Sequence, residues 1–123
     1  MKTLRTIAAV ALLTVIPHAH AADLPAVGDK VVSSTETLAC KTSEDTTRIH
    51  ELLQQDDILA SVRYQHEHGC RFLDKGTHGV LEKITAGASR PGKGPMALGC
   101  VRPRGQPNCE WAVFSSFIKE GAQ

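Results

Sequence analysis

Aromatic residues are scarce in this chain: one tryptophan, one tyrosine and three phenylalanines in 123 residues. Grooves that take proline-rich peptides are lined by several aromatics, so that mode of recognition is not expected. No apolar run is long enough to cross a bilayer. The longest, Ile7 to Ile16, contains Thr14 and stops at Pro17, about half of the ~20 residues that a spanning helix needs. A basic excess is also missing, which argues against a bulk nucleic-acid binder. No serine sits in a nucleophile-elbow motif. The chain carries no internal repeat, no low-complexity tract and no second domain.

What is present begins with an export signal. Lys2 and Arg5 form a basic start, the apolar run follows, and Ala19-His20-Ala21 places small residues where a signal peptidase reads them. Residues 1–21 are expected to be a signal peptide and residues 22–123 a single domain. With no cysteine at the cleavage site, a lipoprotein anchor is not expected. The expected location is periplasmic or secreted. After cleavage, 12 Lys and Arg face 13 Asp and Glu. They are unevenly spread: residues 22–70 hold four basic and nine acidic side chains, residues 71–123 eight basic and four acidic. The basic half could favour a protein partner or an anionic component of the envelope.

All four cysteines, Cys40, Cys70, Cys100 and Cys109, lie in the exported part. An even number in a small secreted chain implies disulfides, here with three possible pairings. The order of elements favours one of them. Ser43 is a natural N-cap, with Glu44 and Asp45 at the positive end of the helix dipole. Ile49, Leu52 and Leu53 make an apolar face. Asp56-Asp57 interrupts this helix and caps a second one, in which Ile58, Leu59 and Val62 are expected to face inward and which Gly69 ends. The helical segment thus covers about residues 43–68. Around it the sequence reads as strands: Lys30–Val32 after the Gly28-Asp29 turn, two short strands about the turn Asp74–Gly79, a loop over Ala86–Pro95, and a hairpin formed by "MALGCVRPR" and "CEWAVF". "SSFIKEGAQ" is expected to be a short closing turn and a tail. A hairpin turn at Arg104-Gly105 would set Cys100 against Cys109. Cys40 and Cys70 then close the helical segment.

Taken together, "GDKVV", a cysteine before a short helical insert, "GCRFLDKGTHGVLEKI", a glycine-rich loop and a late "CEWAVF" resemble small exported bacterial proteins with an SH3-like β-barrel. Lys75-Gly76 matches the turn before their long strand, Trp111 their late tryptophan, and Ser115–Ile118 their closing helical turn. The resemblance implies a mostly β domain, an SH3-like small barrel carrying a two-helix insertion and two disulfides. It also implies an envelope binding module, although such folds host many roles.

The residues suggest three classes of site. "YQHEHGC" (Tyr64–Cys70) suggests a metal, but on a helix His66 and His68 point apart, and a disulfide consumes the Cys70 thiolate. A histidine near a helix C-terminus is also favoured by the dipole. A periplasmic metal-binding protein using His66, His68 and His50 is therefore the alternative, and no metal or other cofactor is expected. Catalysis would need a free, activated thiol, so an enzyme is not expected. The leading expectation is a non-catalytic binding or accessory module. Its candidate residues are Arg90 and Lys93 in one basic loop, Arg102 and Arg104 in another, and Trp111, which serves as core anchor or binding floor. The four cations converge if both loops leave the same end of the sheet.

Overall fold

The structure is a computed structural model and describes residues 24–122. The expected signal peptide lies outside the described residues. The elements, in chain order, are β1 (Lys30–Ser33), β2 (Thr37–Ala39), α1 (Ser43–Gln54), α2 (Ile58–Glu67), β3 (Arg71–Leu73), β4 (His78–Arg90), β5 (Gly94–Pro103) and β6 (Glu110–Val113). A 3-10 turn (Phe114–Ser116) and β7 (Phe117–Lys119) follow. The domain is mostly β, with a helical pair between the second and third strands.

Five strands form one antiparallel sheet in the order β6-β5-β4-β1-β7, and β2 pairs with β3 in a second. The two meet at one bridge. Cys40 N–H donates to Trp111 O at 2.9 Å, and Trp111 N–H donates to Cys40 O at 2.7 Å. The sheets do not close on each other into a barrel. Between them lies a core of Val31, Ala39, Leu73, Leu81, Val101, Ala112 and Phe117. A smaller cluster, Leu38, Cys40 and Ile49, seats α1.

The helix signals act as expected, with one shift. Thr42, not Ser43, is the N-cap of α1, and its hydroxyl accepts from Asp45 N–H at 3.1 Å. Asp57 caps α2 by accepting from Ala60 N–H at 3.2 Å. Gly69, at φ 66°, takes the left-handed position that ends the helix. The inward face of α2 differs from the sequence expectation. Ile58, Leu59 and Val62 are 66%, 71% and 54% exposed, whereas Ser61 is buried. The face turned to α1 is polar and aromatic. Tyr64 O–H donates to Asp45 Oδ1 at 2.8 Å, and Tyr64 stacks on His68 with ring centroids 3.9 Å apart.

Two further expectations are corrected. Ala86–Pro95 is not a loop: β4 continues to Arg90, β5 starts at Gly94, and Arg90 pairs with Gly94. Of the glycines that read as loop signals, Gly92 and Gly94 hold positive φ of 72° and 74° at the hairpin turn, whereas Gly87, and Gly79 further along β4, are there for space. A Cβ on Gly87 would lie 2.7 Å from the Leu98 side chain, and one on Gly79 would lie 2.6 Å from Arg102 O. The C-terminal segment is also more than a turn and tail, because β7 pairs with β1 and completes the sheet edge.

Both expected disulfides form, Cys40–Cys70 with Cα atoms 4.3 Å apart and Cys100–Cys109 at 5.2 Å, and no cysteine is free. Two disulfides fit an oxidising compartment. The register differs slightly from expectation. The residue opposite Cys100 is Trp111, and Cys109 lies just before β6. Among the described residues no helix is long and apolar enough to cross a membrane.

Candidate functional site at the hairpin tip

The long β4–β5 hairpin decides where the four candidate cations go. Arg90 pairs with Gly94 at one end, and Arg102 pairs with Val80 near the other. Roughly 30 Å of strand separates the two ends at the usual rise of about 3.3 Å per residue. The four side chains therefore form two separate pairs and do not converge.

Arg102 and Arg104 border a small cavity of about 190 Å³, shared with Lys30 and Glu120. Here the charge is balanced, because Arg102 Nε lies 3.4 Å from Glu82 Oε2. Trp111 is half-buried and belongs to neither core cluster. It lines the rim of a cavity of about 770 Å³, with Lys41, Lys83 and the Cys100–Cys109 bond. Both carboxylates at that rim are engaged: Glu82 with Arg102, and Glu110 with Arg71, which grips it through Nε and Nη2 at 2.9 and 2.8 Å. The Glu110 carboxylate raises the Arg71 pKa by hydrogen bonding.

The other end of the hairpin is different. Arg90-Pro91-Gly92-Lys93 is a tight turn, closed by Lys93 N–H donating to Arg90 O at 3.0 Å, with Gly92 at φ 72°. Proline followed by a glycine with positive φ pre-sets such a turn. It holds the two cations at its two ends. Opposite them lies the last part of α1. His50, Leu53 and Gln54 of the helix, with Arg90, Pro91, Lys93 and Met96 of the hairpin, line a cavity of about 370 Å³. None of these lining residues is acidic. His50 Nε2 and Arg90 Nε are buried and have no hydrogen-bond partner. Burial pushes the His50 pKa below its ordinary value, which favours the neutral imidazole.

The histidines of "YQHEHGC" are not gathered. His66 is exposed on α2, His68 Nδ1 lies 3.3 Å from Asp45 Oδ1, and His50 faces the hairpin tip. Among the described residues no three His, Cys, Asp or Glu side chains are grouped as a metal ion requires. His50 appeared in the sequence only as a possible ligand. It shares a cavity with Arg90 from forty positions away, and no local pattern carries that.

No protein-family model matches this chain, and no curated protein or solved structure is significantly similar to it.

Proposed function

We infer that the protein is a non-catalytic binding or accessory module of the bacterial envelope, exported to the periplasm or beyond. In this proposal the fold is an opened relative of the SH3-like barrel. The observation that carries the functional reading is the hairpin tip. A rigid, disulfide-clamped sheet presents Arg90 and Lys93 on a preset turn, over a cavity without a carboxylate. Binding groups are commonly held on such loops above a rigid scaffold. The expected partner is a protein or another anionic envelope component. The thiols are consumed in two bonds, which supports a role other than cysteine nucleophile. The metal-binding alternative through His66 and His68 has no geometric support of this kind.

Affinity capture from periplasmic extract, followed by mass spectrometry, tests the reading. The protein should retain a partner, and the Arg90→Glu, Lys93→Glu variant should lose it while keeping its melting temperature. Lys93 is exposed, and such positions usually change stability by about 0.5 kcal/mol or less, while the buried Arg90 Nε has no hydrogen bond to lose. Capture should weaken as salt rises, because charge complementarity acts mainly on association. A partner retained equally by the double variant, or capture of none, would overturn the reading.

A further inference from the structure

The geometry points to a specific ligand chemistry at the hairpin tip: His50 of α1, with Arg90 and Lys93 of the β4–β5 turn, forms a pocket for an oxyanion, a phosphate or carboxylate, carried next to a short apolar group. This rests on the reading of the basic tip as a binding surface.

Two buried nitrogens without partners, His50 Nε2 and Arg90 Nε, belong to residues that line one cavity. Such a group is costly when nothing satisfies it, and two in one cavity call for an explanation. Arg90 Nε–H is a donor only, and a neutral imidazole carrying its proton on Nε2 is a donor too. An oxyanion has the matching chemistry, since its oxygens accept from both and a charged partner strengthens each bond. Lys93, at the far end of the turn, adds a third donor and a second cation. Gln54 adds one amide, and the remaining walls, Leu53, Pro91 and Met96, are apolar. They fit a short hydrocarbon beside the anionic head, as small-molecule sites commonly pair a few polar groups with apolar walls.

A structural explanation competes with this one. The cavity lies beside the C-terminal turn of α1, which has no basic residue of its own, and cations near that end are favoured by the dipole. The two explanations differ in what Arg90 does for stability. A cation that complements the helix stabilises the fold. A buried donor kept for a ligand stabilises it only when the ligand is bound.

The experiment follows the His50 ring protons by NMR at constant ionic strength near pH 7, with inorganic phosphate, butyl phosphate and pentanoate as probes. Butyl phosphate or pentanoate should shift them saturably, and the tighter of the two identifies the head group. Butyl phosphate should bind about tenfold tighter than inorganic phosphate, which corresponds to burying about two methylene groups. Arg90→Gln should weaken binding about tenfold, in line with the loss of one charge-assisted hydrogen bond. It should leave the ligand-free melting temperature unchanged or higher, and Arg102→Gln should change nothing. If no probe saturates, the proposal is overturned. The same holds if Arg90→Gln lowers the ligand-free melting temperature and leaves the titration intact, for then the tip only complements the helix. Partner capture that depends on Arg90 and Lys93 while every probe fails keeps the module and rejects the pocket. Saturable binding with no partner captured keeps the pocket and rejects the module.

Discussion

Thr46 Oγ1 donates to Trp111 O at 2.9 Å, across 65 positions of sequence. The same carbonyl accepts from Cys40 N–H, so one residue of β6 joins the second sheet and the first helix. Trp111 also sits opposite Cys100 in the register. Both disulfides are therefore anchored beside it, one through each flanking strand.

Thr46→Val removes that hydroxyl and keeps the shape. Thr46 is fully buried, while Trp111 O keeps its bond from Cys40. The expected loss is about 1 kcal/mol, the net worth of one intramolecular hydrogen bond. Urea unfolding should show a lower midpoint with an unchanged slope. A loss of 3 kcal/mol or more, on the order of a core cavity, would mean that the junction depends on packing at Thr46 and not on the bond.

The two disulfides should contribute unequally. Cys40–Cys70 closes a separation of 30 residues and Cys100–Cys109 one of 9. In the chain-entropy model these are worth about 3.6 and about 2.6 kcal/mol. Replacing each pair by serine and measuring unfolding free energies checks the order. Thiol titration of the denatured, unreduced protein should find no free cysteine, and peptide mapping that joined Cys70 to Cys100 would contradict the structure.

Tyr64 is the only tyrosine, so tyrosinate absorbance reports on it alone. Its pKa lies above the ordinary value, first because its hydroxyl donates to the Asp45 carboxylate, then through desolvation and the charge on Asp45. A folded-state pKa raised above the unfolded one gives stability that is fully present below about pH 10 and lost as pH rises through the folded value. The contact between the helices should therefore loosen in alkali. The absorbance midpoint should exceed about 10, the unperturbed value, and move back toward it in Asp45→Asn. An identical midpoint in that variant would rule out the carboxylate as the cause.

Ile58, Leu59 and Val62 lie on the outer face of α2. Changing any one to glutamine should alter stability by no more than about 0.5 kcal/mol, as is usual for exposed positions. Ile49→Ala, at a fully buried position, should cost about 2–5 kcal/mol. Chemical denaturation of the four variants measures the contrast. A large loss at Leu59 would place the inner face where the apolar pattern puts it.

That apolar pattern shows where the sequence stops being informative. Caps and covalent links are local or chemically exclusive signals, so Asp57, Gly69 and both cysteine pairs could be read in advance. Facing is a tertiary choice. In α2 the inward side is set by Tyr64 and His68 meeting Asp45, which outweighs three aliphatic residues at helical spacing. The hairpin tip was hidden for a similar reason. Glycine and proline over Ala86–Pro95 signal flexibility in a sequence, but Gly87 is small because Leu98 lies against it. Reading that stretch as a loop left Arg90 and Arg102 free to converge, whereas a continuous hairpin holds them apart. His50 shares a cavity with Arg90 only once α1 packs beside the hairpin.

The Cys40–Cys70 bond also bears on how this chain can change over generations. It brings the two ends of the helical segment within 4.3 Å of each other, so the distance between them no longer depends on what lies in between. Length added at the exposed Gln55-Asp56 corner, where Asp56 already holds a positive φ of 57°, shifts neither β2 nor β3 in its register. The helical segment is in effect a cassette, free to lengthen or acquire a new outer face while the sheets beneath it stay the same.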